Sequence, residues 1–271
     1  MSLKKVILFL FVAALLGWGL YEAGRYVLIK KEGVLYIFSF LEHTPDLDDK
    51  RALQDFAVIS PSCDKRHALW GAQFPLLFRY WPTLESQKIP VYLISNFRRY
   101  EDPRVSTIAV GKGLSWSDNL IKALDRIDKP YVVLLMDDSL LNKPVDEKRL
   151  IQVVNLMKAN YGFYTEIMPD QKYLCEGMSH KSIPWLVYRR GGCKISLQTG
   201  VWDKEELKKF LKLGESAGVN EHSIYRPSYL VKGAPILSYF EAANGDKTEN
   251  CASTKAVFVN KERSLGSASQ Q

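Results

Sequence analysis

Short apolar runs alternate with longer stretches whose apolar residues recur every three or four positions, and this rhythm governs the chain from Phe56 onward. Residues 56–60 (FAVIS) predict a strand. Residues 67–81 carry Leu69, Trp70, Phe74, Leu77, Phe78 and Trp81 at helical spacing and predict a helix with one aromatic face. Residues 91–95 and 107–110 predict the second and third strands. In residues 117–127 Leu120, Ile121 and Leu124 share one face, with Asp118 and Asn119 in the first turn, which predicts a helix. After Lys129-Pro130 the run at 131–136 (YVVLLM) is unbroken, as a strand buried on both faces requires. Helices are predicted over 145–159 and 204–213, and further strands over 163–167, 185–188 and 195–197. Strand and helix in turn are the mark of βαβ units, so the predicted class is α/β, a largely parallel sheet, mixed in its later strands, flanked by helices.

The amino terminus follows a different pattern. Residues 6–21 are sixteen without a charge, between Lys4-Lys5 and Glu22 with Arg25. A bilayer span needs about 20 residues, so this run predicts a slightly short N-terminal transmembrane helix, a single-pass anchor with Trp18 and Tyr21 suited to the interface. A cleaved signal peptide is the alternative reading. The flanking charges leave orientation open. Residues 34–40 (VLYIFSF) are too short to cross a bilayer and suit a strand or an interfacial helix. The expected organisation is an anchor at 1–25, a stem at 26–55, a catalytic domain at 56–245 and a polar tail at 246–271 whose composition predicts disorder.

Composition narrows the class without naming a function. The chain has 271 residues, 46% hydrophobic and 25% charged, which is ordinary for a globular protein. A net charge of +7 favours anionic partners, but the basic residues scatter in pairs such as Arg98-Arg99 and Arg189-Arg190, and no nucleic-acid stripe forms. Cys63, Cys175, Cys193 and Cys251 show no C-x-x-C and no His at ligand spacing, so no zinc or thioredoxin site is expected. A Cys175–Cys193 disulfide would need an oxidising compartment. His43, His67, His180 and His222 have no context for a catalytic triad.

In open α/β sheets ligands bind at the carboxyl ends of strands, which directs attention to the polar residues just past each apolar run. These are Ser60-Pro-Ser-Cys-Asp-Lys-Arg66, Asn96, Gly111 to Asp118, and Asp137-Asp138-Ser139. Two adjacent carboxylates at the end of a buried strand repel, and a hard cation removes the repulsion. Magnesium or manganese takes one or two carboxylates and completes its shell with phosphate oxygens and water. A helix or turn cap with one solvated acid is the alternative. The two glycines of Gly111 to Asp118 permit close backbone approach to a phosphate or ribose, and Ser117 or Asp118 is placed to cap the following helix. Glu215 and Glu221, in the loop after the 204–213 helix, are candidate general bases.

Six segments in order resemble a group of GT-A-like glycosyltransferases from bacteria and large viruses: 60–82, 91–96, 113–120, 131–141, 196–202 and 214–217. The resemblance covers about Phe56 to Glu221. It implies a GT-A (Rossmann-like) domain that moves a sugar from a nucleotide-sugar donor using Mn2+ or Mg2+; the expected anchor suits a glycan or lipid-linked acceptor near a membrane. The acidic pair stands as counterpart of the DXD motif, with Asp138 as principal metal ligand and Asp137 also reaching the ribose or sugar. Ser60, Ser62 and Asp64 would meet the nucleotide, with Asn96 beside them, while Trp116, Ser117 and Asp118 would border the donor. Glu221 is the implied base and Glu215 the second choice. The chain departs from the pattern at Ala217-Gly-Val-Asn220, where relatives place an aromatic before the terminal acid. A membrane-tethered binding protein on the same fold, or another metal-dependent nucleotide enzyme, would use the same residues.

Overall fold

The computed structural model describes residues 26–31, 34–39, 45–112, 115–159, 162–168, 177–180, 183–189, 193–194, 197, 199–216, 223–224, 228–231 and 235–241. Two units divide the chain at Pro45. In the first, β1 (Tyr26–Lys31) and β2 (Val34–Ser39) pair antiparallel from Tyr26↔Ser39 to Lys31↔Val34. The short apolar run at 34–39 is therefore a strand. The expected anchor at 6–21 and the tail at 246–271 lie outside the described residues. Among the described residues no helix is long and apolar enough to cross a membrane.

The second unit begins with a 3-10 turn (Lys50–Gln54) and β3 (Phe56–Pro61), followed by α1 (His67–Tyr80), α2 (Thr83–Ser86), β4 (Val91–Ser95), β5 (Ser106–Ala109) and α3 (Trp116–Leu124). Next come β6 (Tyr131–Leu134), β7 (Ser139–Leu141), α4 (Glu147–Lys158), β8 (Tyr164–Glu166), β9 (Gly177–His180), β10 (Ile183–Arg189) and β11 (Cys193–Lys194). The last elements are β12 (Gly200–Asp203), α5 (Lys204–Phe210), β13 (Ser223–Ile224), β14 (Ser228–Val231) and β15 (Tyr239–Glu241).

Nine strands form the main sheet in the order β5-β4-β3-β6-β12-β8-β14-β10-β9. The first four are mutually parallel. β12 is antiparallel to both β6 and β8, and so enters the sheet between two strands that run the same way. The chain goes from β3 outward through β4 to β5, then returns to place β6 on the other side of β3. That reversal puts a topological switch point at the carboxyl ends of β3 and β6, the position at which open α/β sheets form their ligand crevice.

Alternation along the strands divides the core between two faces. Phe56, Val58, Leu93 and Val133 pack with α1 and α4, whereas Ala57, Ile59, Ile94, Val132 and Leu134 pack with α3 and α5. Strand β3 is buried at every position, as a central parallel strand covered on both sides must be. Helix α1 continues through Pro75, which removes one helical hydrogen bond and costs about 3 kcal/mol. Burial of Trp70, Phe74, Leu77 and Phe78 contributes about 1.5–3 kcal/mol each and outweighs that cost.

Several expectations are corrected. The stem predicted to run to residue 55 gives way to folded chain by Asp46, because Leu47 packs on the core and Asn155 Nδ2 donates to the carbonyls of Leu47 (3.1 Å) and Asp49 (2.9 Å). The run at 131–136 is strand only through Leu134. Leu197 is not in a strand; it lies between β11, which ends at Lys194, and β12, whose Gly200 the pattern gave no reason to select. Any Cβ at Gly200 would lie 2.5 Å from the Tyr164 ring, so only glycine lets β8 and β12 pair at this register.

Candidate functional site

The acidic pair owes its position to a tight turn. Ser139 N–H donates to the Met136 carbonyl (2.9 Å), which places Asp137 and Asp138 at the two central positions between β6 and β7. Neither has a positive φ, so the turn needs no glycine. Gln73 on α1 locks the same corner, its Nε2 donating to the Met136 carbonyl (2.9 Å) while its Oε1 accepts from Ser60 Oγ (3.0 Å). Ser60 is 1% exposed, and its hydroxyl serves this internal tie.

The two carboxylates are unequal. Asp137 is 2% exposed and accepts from Ser62 Oγ (2.5 Å), which in turn accepts from the Trp70 indole N–H (2.8 Å). Its other oxygen lies 2.7 Å from Arg66 Nη2. Burial pushes Asp137 up to about 7, with Asp138 raising it further, against the lowering effect of Arg66 and the Ser62 hydroxyl. Each Asp137 oxygen thus has one side-chain partner, Ser62 on one and Arg66 on the other. The Asp138 side chain keeps 26% of its surface, and its Oδ2 lies 3.0 Å from the same Arg66 nitrogen.

Sequence reasoning missed Arg66. The signal was present, because Arg66 ends the polar segment after β3 and β3 neighbours β6, but the neighbouring order of those strands is a tertiary fact. The pair held by Arg66 tests the implied cation. Among the described residues no group of three His, Cys, Asp or Glu forms a metal cluster. One half-exposed carboxylate with a second behind it still fits a magnesium or manganese ion that takes the rest of its shell from phosphate and water. Asp138 is the residue that would hold such an ion.

A second rim structure flanks the crevice. The Asp64 carboxylate accepts from three backbone N–H groups, Asn96 (3.2 Å), Phe97 (3.1 Å) and Arg98 (3.0 Å), and so ties the end of β3 to the loop after β4. Asn96 Oδ1 accepts from Asp64 N–H (3.4 Å), and its Nδ2 donates to the carbonyl of Gly111 (3.3 Å), a residue at φ +80 that admits little but glycine. Asp64 and Asn96 thus hold loops together at the crevice. Phe97, Arg98, Arg99 and Lys112 are exposed on those loops, and the three cations give the rim a basic edge.

The third cluster lies at α3. Ser115, rather than Ser117 or Asp118, is the N-cap: its Oγ accepts from Asp118 N–H (3.1 Å) and donates to Asp118 Oδ2 (2.6 Å). Ser117 is fully buried, donating its Oγ to the Glu215 carbonyl (3.0 Å) and accepting from Glu215 N–H (3.1 Å). Trp116 packs against the core face shared with Leu120 and Leu124. These residues therefore staple the loop before Glu215 to the helix start. The strand that feeds this corner, β5, is three places from β6 in the sheet, about 14 Å at ordinary strand spacing. The structure gathers Ser62, Asp64, Asn96, Asp137 and Asp138 at neighbouring strand ends, and sets Trp116, Ser117, Asp118 and Glu215 together in their own cluster. Glu221 lies outside the described residues.

No protein-family model matches this chain, and no curated protein does. Solved structures with partial likeness include the bifunctional IspDF from Campylobacter jejuni, at 11% identity and a TM-score of 0.39, over 68% of this chain and 51% of that one. S. aureus TarS matches at 11% identity and a TM-score of 0.38, over 67% of this chain and 36% of that one. The 2-C-methyl-D-erythritol 4-phosphate cytidylyltransferase from Thermus thermophilus matches at 12% and 0.40, over 70% and 93%. The chain spans about half the length of the first and about a third of the second. Likenesses this slight leave the function to the site's own geometry.

Proposed function

We propose that this protein is a membrane-anchored glycosyltransferase that moves a sugar from a nucleotide-sugar donor to a glycan or lipid-linked acceptor. The observation that carries the reading is the acidic pair on a rigid turn at the crevice between β3 and β6, backed by a guanidinium and edged by Arg98, Arg99 and Lys112. An acceptor for a diphosphate needs positive charge beside a carboxylate able to share a cation, and this corner has both. The ordered motif resemblance and the uncharged run at 6–21 support the same reading.

In the proposed reaction the bond from the anomeric carbon to the donor's diphosphate oxygen breaks, and a bond to the acceptor oxygen forms. The acceptor's proton passes to a carboxylate, for which Glu221 is the first candidate and Glu215 the second. The nucleoside diphosphate leaves with the electron pair. Asp138, with Asp137 behind it, would hold a manganese or magnesium ion, which when bound neutralises charge on that leaving group. Ser62 and Trp70 fix Asp137, and Asp64 and Asn96 keep the flanking loops in place.

The test is turnover of a panel of nucleotide sugars by the full chain in detergent with manganese, with products resolved by chromatography. Release of intact nucleoside diphosphate supports sugar transfer. Release of pyrophosphate or of the nucleoside monophosphate would instead mark a nucleotidyltransferase or phosphohydrolase, and a folded protein that neither binds nor turns over any donor would overturn the proposal.

A further inference from the structure

Arg66 occupies an unusual place. It ends the short 3-10 turn Asp64–Arg66, and a single nitrogen, Nη2, meets Asp137 Oδ1 at 2.7 Å and Asp138 Oδ2 at 3.0 Å. Among the described residues the Arg66 Nε–H is buried with no acceptor, and Nη2 likewise makes no hydrogen bond, so its contacts with the two carboxylates are ion-pair contacts. The side chain is 26% exposed and so borders solvent. A guanidinium locked for structure alone would present its planar fork to a carboxylate and use two parallel N–H groups. Here one nitrogen bridges two carboxylates, and the neighbouring donor is left over.

That nitrogen stands where an ion shared by Asp137 and Asp138 would have to sit. Cation and guanidinium cannot both lie between the same two oxygens, because each would meet the other's charge at contact distance. A displaced Arg66 would carry its leftover donor and its positive charge into the crevice. Planar paired donors match phosphate oxygens better than any other side chain does.

We propose that Arg66 is a built-in competitor for the divalent cation and, once displaced, a ligand of the donor's diphosphate. This deepens the reading given above and rests on it. Arg66 offsets part of the acid pair's charge until a cation arrives. The arriving cation then releases the residue that grips the phosphates, so cation and diphosphate bind with positive coupling. The same displacement sets a threshold against metal alone, because the ion must first break the Arg66 contacts. By linkage, any coupling of metal to diphosphate is matched by an equal coupling of diphosphate to metal.

Two measurements test this on the full chain in detergent. In the first, manganese alone is titrated by electron paramagnetic resonance into the native protein, Arg66→Gln and Arg66→Lys, and preformed manganese–pyrophosphate is titrated calorimetrically into each. Arg66→Gln is expected to bind manganese alone about 10-fold tighter and manganese–pyrophosphate about 10-fold weaker, within the usual range of coupling between sites. Arg66→Lys, which keeps the charge, should leave manganese binding near native. A merely structural Arg66 would weaken both ligands together, and manganese affinity that is unchanged or lower in Arg66→Gln would overturn the proposal. The second needs no variant: phenylglyoxal labelling of Arg66, read by mass spectrometry, should quicken with manganese alone and slow with manganese–pyrophosphate. Labelling that manganese leaves unchanged or slows would overturn it as well. Absence of manganese binding to all three forms sinks this proposal, whereas metal-independent turnover of a nucleotide sugar would leave the functional reading standing.

Discussion

Asp64 and Asp137 lie in the polar segments that follow two neighbouring strands, β3 and β6, and are satisfied in opposite ways. The Asp64 carboxylate is held by three backbone N–H groups from the loop after β4, donors that cannot move without the loop moving. Asp137 is held by side chains, the Ser62 hydroxyl and the Arg66 guanidinium, which can rotate away while the fold stays in place. Backbone donors make a fixture, and side-chain donors make an exchangeable site. The difference separates the part of the crevice that shapes it from the part suited to chemistry.

Variants break this comparison at graded strengths. Asp138→Ala should cost the most in activity, about 10³-fold in turnover, with little change in thermal stability, since it removes the exposed carboxylate and relieves repulsion on Asp137. Retained turnover would refute its role. Asp137→Asn should act on the pH dependence of stability. The folded state holds the Asp137 proton up to about pH 7, against an ordinary value of 3.8, so it binds more protons than the unfolded chain between those values. Stability from this group is therefore full below the ordinary value and falls as pH rises from there through about 7, by on the order of 4 kcal/mol. Denaturant melts of Asp137→Asn should lack that slope, and a native profile flat from pH 4 to 7 would contradict the assignment.

Asp64→Ala should cost about 2 kcal/mol and speed amide exchange at Asn96, Phe97 and Arg98, because their shared acceptor is gone. Unaltered exchange would show that the loop holds itself. Ser117→Ala, the smallest change, should cost about 1 kcal/mol by cutting the bridge to Glu215, and should be visible as increased proteolysis of the 212–216 loop.

The first half of the sheet was legible because its signals are local. Apolar runs at Phe56, Val91 and Tyr131 predicted β3, β4 and β6 within a residue or two, and the spacing of Trp70, Phe74 and Leu77 predicted α1. The second half was only partly legible. β12 is buried next to β6, yet it is only four residues long and opens on Gly200, whose need arises from the Tyr164 ring on another strand. β7, directly after the acidic pair, pairs with β15 about a hundred residues later, so neither strand shows a partner in its own neighbourhood. At the site, the pattern found Asp137 and Asp138 from their place past a buried run. The internal partners of Ser60 and Ser117, Gln73 and Glu215, were not legible, because a serine looks the same whether its hydroxyl faces a crevice or an internal carbonyl.

By itself the sequence determined the alternation of elements, the two-faced core and the carboxylates at a strand end, since burial periodicity and charge repulsion act over a few neighbouring residues. Only the tertiary structure decided that β6 lies beside β3, and with it that Arg66, about seventy residues before the acids, supplies their counter-charge. Strand order is set by how distant surfaces pack, and no short-range pattern encodes which loops will meet at its edge.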